Sequence, residues 1–361
     1  MTAPAVDWIR PRRGLGNASV ALRSDTARVA YLGASVTVQR EGFRPLLHAH
    51  VTRAFGRPHV AVNAAVGAVG SVSAVFLMDA LVLAHAPALC FVEYTTGDWG
   101  GRSSAKDIGP AVEGIVRKLV AHGIDACLLH LWRGDRVCDW PDPVIDTYER
   151  IADHYGVPSI LAGRVIADGL GTEATRAAWF RDVVHTTPAG AARTAGIIAD
   201  AFDALCAVPP ALRTALPAPL HADHFGHGRV VLARNLLRDR ADVAWPVFRL
   251  TYPYLDLDES RALSFRSSHA LKGLFIVVGP ASTPIRVTAD GTTHAIDPRD
   301  EWTDYERIST VIFDESLPPG ADVRLEREAE GDMKVIGFLV HDPLNLDSTR
   351  PSHDTLAVIA R

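Results

Sequence analysis

The chain has 361 residues, 48% hydrophobic and 22% charged, with a net charge of −5. Its length exceeds the usual size of one domain, so two domains are expected, and the composition is that of a folded globular protein rather than a disordered one. The acidic balance and a sequence pI near 6.3 offer no basic stripe for a phosphate backbone, which removes nucleic acid from the expected partners.

Residues 1–25 read as an N-terminal extension. Its Pro, Arg and Gly content lacks the apolar core of a secretory signal, and no later stretch is apolar and long enough to span a bilayer. Cys90, Cys127, Cys138 and Cys206 form no close pair in sequence. Reduced thiols and a cytoplasmic location are therefore expected.

From residue 26 to 208, short apolar runs alternate with longer amphipathic stretches, the pattern of βα units feeding a parallel sheet. The runs predict strands over 28–32, 59–63, 88–94, 125–131 and 158–161. The stretches predict helices over 43–55, 72–84, 108–121, 143–155 and 188–205, with Pro188 suited to a first-turn position. Continuous apolar runs such as Ala88 to Val92 imply burial on both sheet faces. Ligands collect at the carboxyl ends of such strands, and Ser35, the Gly67–Ser71 region and the Thr95–Trp99 region all follow predicted strand ends.

The proline-rich segment 209–228 reads as a linker. Beyond it, short runs predict strands over 229–233, 247–251, 272–278, 285–288, 308–313, 322–326, 334–341 and 355–359, separated by turns such as Asp290-Gly291. Residues 229–361 are accordingly expected to form a small antiparallel β-sandwich that accompanies the first domain.

Two short patterns carry chemistry. Ser35 lies in Gly33-Ala34-Ser35-Val36-Thr37 at a strand-to-helix turn, and Asp182-x-x-His185 stands in a loop before the last helix of the first domain. A serine hydroxyl is a weak nucleophile until an imidazole takes its proton, and a carboxylate fixes the tautomer of that imidazole. Taken singly, each pattern also suits helix capping.

Their order resembles the SGNH, or GDSL-like, hydrolase superfamily over about the first 208 residues. Gly33-Ala34-Ser35 stands where that family has Gly-Asp-Ser. The run Asn63 to Ser71 is similar to its glycine-rich second block. Val92-Glu93-Tyr94-Thr95-Thr96-Gly97-Asp98 matches a block that ends Asn-Asp, and Asp182 to Gly190 follows the Asp-x-x-His pattern with the proline displaced. The resemblance implies a three-layer, flavodoxin-like α/β domain with a five-stranded parallel sheet. It assigns Ser35 as nucleophile, His185 as base and Asp182 as its orienting carboxylate. It places the oxyanion hole at Ser35, Ala68 and Gly97. Ala68 keeps the backbone N–H of the family's glycine, whereas Gly97 lacks the side-chain donor of the family's asparagine. Thr96, Asp98 and Trp99 are candidate substrate contacts. The resemblance implies neither cofactor nor metal.

Other groupings of residues allow different readings. His221, His224 and His227, with Asp223, have a spacing that could hold a metal, but their glycine- and proline-rich surroundings favour a solvated linker. Glu93 and Asp98, with Asp79 and Glu41, raise a paired-carboxylate glycosidase for which no separation is defined; a satisfied polar partner is expected for Glu93. The run Trp132 to Arg136 reads as a charged loop with one anchoring tryptophan or as a lining of the substrate mouth. Trp245, Tyr252, Tyr254, Trp302 and Tyr305 are either core aromatics or a sugar platform. The expected function is removal of an acyl group, such as acetyl, from a carbohydrate or small polar ester. An acyltransferase of polysaccharide or natural-product assembly and a catalytically weakened glycan-binding or scaffold protein are the alternatives.

Overall fold

The computed structural model describes residues 8–134, 136, 142–211, 215–233, 241–245, 250–257, 262–301 and 303–341. The chain divides into two compact units, Met1–Gly226 and His227–Arg361.

The first unit runs in chain order β1 (Ile9–Arg10), α1 (Gly16–Ser24), β2 (Arg28–Gly33), α2 (Ser35–Val38), α3 (Phe43–Phe55), β3 (Val60–Asn63), α4 (Ser71–Leu81), β4 (Leu89–Glu93), α5 (Thr95–Trp99) and α6 (Ala105–Ala121). It continues with β5 (Asp125–Leu129), α7 (Pro143–Tyr155), β6 (Ser159–Ile160), α8 (Ala162–Gly169), α9 (Glu173–Trp179) and α10 (Pro188–Cys206). The sheet has the order β1-β6-β5-β4-β2-β3. The pairs among β2 to β6 are parallel, as expected for the predicted five strands, and β1 adds a sixth, antiparallel strand along β6.

Strand alternation explains the layers. Val29, Tyr31, Leu89, Phe91, Cys127 and Leu129 point to one side, where they share a core with α1, α3 and α10. The residues between them, among them Ala30, Leu32, Cys90, Val92 and Leu128, are equally buried, so both faces are covered. Helix ends follow local chemistry. Asp142 caps α7 by accepting the Val144 and Ile145 amides at 2.9 and 3.0 Å, Pro143 opens the helix, and Gly156 closes it at φ 68°.

The N-terminal extension is part of this fold. Leu15, Ala18 and Leu22 lie in the core, and Arg10 and Arg12 reach the buried Glu149 carboxylate at 2.7 and 2.8 Å. The segment expected as a solvated linker is docked as well. The amides of Leu220 and His221 donate to Glu113 at 2.6 and 2.7 Å, His221 Nδ1 lies 2.6 Å from the same carboxylate, and Phe225 packs on Phe76. Glu113 is fully buried on α6, so it needs these donors, and they dock the segment although Pro209, Pro210 and Pro219 along it are exposed.

The second unit contains β7 (Arg229–Leu232), β8 (Ala241–Trp245), β9 (Leu250–Asp256), β10 (Leu263–Arg266), β11 (Ala270–Val278), β12 (Ile285–Ala289), β13 (Thr292–Ile296), β14 (Arg307–Leu317), β15 (Asp322–Arg327) and β16 (Lys334–His341). They form a sheet of order β10-β15-β12-β13 and a second of order β14-β11-β16-β9-β8, with β7 also on β16. All pairs are antiparallel. One hydrophobic core joins the two sheets, with Phe265 of β10 and Phe338 of β16 at 4.7 Å between ring centroids. The strand expected over 355–359 and the residues Cys138 and Trp302 lie outside the described residues, as does the side chain of Trp245. Of the aromatic residues that could form a sugar platform, Tyr252 makes a T-shaped contact with Phe275, and Tyr305 is 57% exposed.

No helix among the described residues is long and apolar enough to cross a membrane. Among the same residues no cluster of three or more His, Cys, Asp or Glu side chains is placed to hold a metal ion.

Candidate active site

The chain turns sharply at the carboxyl end of β2. A Cβ on Gly33 would lie 2.3 Å from Thr37 Oγ1 and 2.8 Å from the Glu93 carbonyl, so only glycine lets the strand pass this close. The Ala34 amide donates to the Glu93 carbonyl at 3.1 Å, and α2 begins at Ser35, which is partly exposed. This is the point at which the sheet reverses its order: β3 lies on one side of β2, and β4 on the other. Open α/β sheets place their ligand crevice there.

The imidazole arrives from the loop between α9 and α10. Phe180 and Thr186 bridge across this loop, and the Arg181 amide donates to the His185 carbonyl at 2.9 Å. Inside it, Asp182 Oδ1 accepts the amides of Val184 and His185 at 2.9 and 2.7 Å. His185 Nδ1 lies 2.9 Å from Asp182 Oδ2, and His185 Nε2 lies 2.8 Å from Ser35 Oγ. With the Nδ1 proton on the carboxylate side, Nε2 is the acceptor for the serine hydroxyl. Burial alone would raise the Asp182 pKa, but the two amides and the imidazole outweigh it and hold the carboxyl below its ordinary value. The loop is fastened from two sides: Gln39 Nε2 of the α2 turn donates to the Thr186 carbonyl, and the Gly134 amide donates to the Val183 carbonyl, both at 2.7 Å.

The second block follows β3. The Val66 amide donates to the Gly33 carbonyl at 2.9 Å, which brings Gly67 to where its Cβ would stand 4.0 Å from Ser35 Cβ. Ala68 has φ 59°, the left-handed conformation that glycine adopts without strain.

The third block departs from the pattern of the superfamily that the sequence resembles. A Cβ on the buried Gly97 would lie 2.6 Å from the Val69 carbonyl oxygen and 3.5 Å from Ala34 Cβ. The backbone of the second block thus fills the space that an asparagine side chain would need.

The side chains expected as substrate contacts in this block turn inward. Thr96 Oγ1 donates to Glu93 Oε1 at 2.7 Å, and Trp99 Nε1 donates to Asp142 Oδ1 at 2.9 Å. Asp98 accepts the Ser71 amide at 2.9 Å and the Tyr148 hydroxyl at 2.7 Å. All three are buried, which corrects that expectation: a five-residue helix forms here, and its side chains satisfy the layer beneath it. Glu93 and Asp98, weighed as a glycosidase pair, are likewise enclosed, and burial pushes both carboxyls up.

Of the run Trp132 to Arg136, read from sequence as a charged loop with an anchoring tryptophan or a lining of the substrate mouth, two side chains brace their neighbours. Arg133 Nη1 donates to the Thr96 carbonyl at 3.2 Å, and Trp132 stacks on Phe180 with centroids 4.0 Å apart. The loop after β5 therefore braces both the third block and the histidine loop. Asp135 in that run lies outside the described residues. Gln39 escaped sequence reasoning, because no local pattern marks it and its partner Thr186 is distant in sequence.

No family model and no curated protein matches the chain. Solved structures do. A two-domain esterase (CEX) active on acetylated mannans, co-crystallized with mannopentaose, aligns at TM-score 0.71 and 15% identity, covering 92% of this chain and 97% of its own. A second structure of a two-domain esterase (CEX) active on acetylated mannans gives TM-score 0.68 at 15% identity with the same coverage. A putative GDSL-like lipase from Parabacteroides merdae aligns at TM-score 0.43 and 12% identity, covering 50% of this chain and 96% of its own. The fold of this chain is accordingly the one seen in the two-domain esterase structures, an α/β unit with a largely parallel sheet followed by an antiparallel all-β unit.

Proposed function

We propose that the chain is a serine esterase and that its substrates are acyl esters, acetyl above all, of a carbohydrate. The observation that carries the chemistry is the series Ser35 Oγ, His185 Nε2 at 2.8 Å, and Asp182 Oδ2 at 2.9 Å from His185 Nδ1. The substrate class is supported by the likeness, over 92% of the chain, to an esterase active on acetylated mannans.

In this reading Ser35 Oγ attacks the ester carbonyl carbon while His185 Nε2 takes its proton. Asp182 accepts from Nδ1–H and favours the imidazolium that forms. The oxyanion is received by backbone amides of Ser35 and Ala68, the former in the first turn of α2, where no intrahelical carbonyl takes its hydrogen. Collapse expels the sugar hydroxyl with the proton from His185. Water then attacks the acyl-enzyme, giving its proton to His185 and releasing the acid, and Ser35 recovers its hydrogen.

The test is covalent. A fluorophosphonate should label the protein, and Ser35→Ala should abolish both the labelling and acetate release from acetylated mannan. Unchanged labelling of Ser35→Ala overturns the serine assignment. Release of acetate from small esters but from no acetylated glycan overturns the substrate class alone.

A further inference from the structure

Glu93 is a buried ionisable group that the proposed reaction does not use. It ends β4 in register with Gly33 of β2, directly beneath the turn that carries Ser35. Its side chain is 1% exposed, and among the described residues no cation pairs with it. Neutral donors hold it instead. Thr37 Oγ1 donates to Oε2 at 3.2 Å, while the Thr96 hydroxyl and amide donate to Oε1 at 2.7 and 3.3 Å.

The two threonines belong to different walls of the site. Thr37 stands two residues after Ser35 on α2, and Thr96 stands one residue before Gly97 on α5. We propose that Glu93 is a positioning residue: its two oxygens tie the turn carrying Ser35 to the segment carrying Gly97, and so fix the gap that receives the acyl carbonyl. This rests on the reading of Ser35 as nucleophile.

Gly97 explains the need for such a tie. With no side chain at 97, the third block meets the site through backbone alone. The Thr96–Gly97 peptide is then held through the two ends of Thr96, its carbonyl by Arg133 and its amide and hydroxyl by Glu93. Catalytic groups must sit within about 0.5 Å of the productive geometry. A displacement of about 1 Å costs on the order of a hundredfold in rate.

Three variants separate positioning from mere support of the fold. Glu93→Gln keeps the shape, and its amide can accept from Thr96 while donating to the Thr37 hydroxyl oxygen; kcat should stay within about threefold of the parent. Glu93→Ala should lower kcat by about a hundredfold, leave KM within about twofold and slow phosphonylation in the same ratio as kcat. Should Glu93→Ala fail to fold, the double variant Thr37→Val, Thr96→Val removes the hydroxyl arms and should lower kcat by about tenfold or more with KM again unchanged.

Parent-like kcat in that folded double variant overturns the role of Glu93, and so do equal losses in the Gln and Ala variants. Ser35→Ala tests the underlying reading separately. If it still labels, the serine assignment fails; if it does not label while the threonine variants keep the parent rate, only the role of Glu93 fails.

Discussion

At the scale of single residues, the site makes its demands through backbone conformation. Ala68 sits at φ 59°, where an L side chain costs about 1–2 kcal/mol. Ala68→Gly keeps the N–H and removes that strain, so calorimetry should show stability unchanged or raised by up to about 1 kcal/mol, with kcat within about threefold. Gly97→Asn is the opposite case. Placing there the asparagine of the superfamily that the sequence resembles should not supply a donor, because its Cβ would stand 2.6 Å from the Val69 carbonyl and force the second block away. Activity against a short acetyl ester should fall by about tenfold or more, and a rise would show that the space is free after all. Asp182→Asn still offers an oxygen to the amides of Val184 and His185 but favours the wrong tautomer of His185. A kcat loss of about 10³- to 10⁴-fold with little change in melting temperature is expected.

At the scale of elements, the network around Glu149 joins α7 to the N-terminal arm and to β5 and β6. Arg10 and Arg12 pair with one carboxylate oxygen, and His130 Nε2 lies 2.8 Å from the other. Burial alone would raise the Glu149 pKa, but His130 and Arg12 outweigh it and depress the carboxyl far below its ordinary range. A depressed folded-state value means the stabilisation is present above the unfolded-state pKa of about 4.3 and is lost as the pH falls towards the lower folded value. Urea midpoints measured from pH 6 down to pH 3 should therefore fall, and Glu149→Gln should flatten that slope. The substitution itself should cost about 3 kcal/mol near neutrality, since it removes the buried charge partner of the largely buried Arg12 guanidinium and leaves it the exposed Asp153 carboxylate.

Elements also differ in how far their residues announce them. Helices α3 and α7 were readable to the residue because glycines at 56 and 156 end them and Asp142-Pro143 opens one. By contrast, α5 has five residues and no apolar period, and β13 is exposed along most of its length, so neither carries a pattern. The candidate set Ser35, Asp182 and His185 was legible through the order of its blocks along the chain, and the structure brings the three side chains within hydrogen-bonding distance. Gln39, Arg133 and the threonine partners of Glu93 act through contacts made only after folding, which local sequence does not encode.

At the scale of the whole molecule, the first unit extends past α10. The segment Pro217 to Phe225 supplies donors to Glu113 and a ring to Phe76, and Arg117 fixes the Pro217 carbonyl at 2.9 Å. A chain ended at Val208 leaves the Glu113 carboxylate buried with fewer donors and uncovers the Phe76 surface. It should melt at a clearly lower temperature than a chain ended at Gly226, and equal melting curves would place the boundary earlier. The opposite end of the unit has a different use. Strand β1 is only two residues long and lies along the outer edge of β6, and Pro11, which has no N–H to offer, follows it at once. Arginines at 10 and 12 flank that proline. An uncovered parallel sheet edge is a template on which another chain can add a strand. The short strand covers that template and the proline gives its own edge no N–H at that position, so the N-terminal arm leaves this end of the sheet little free backbone on which a second chain could add a strand.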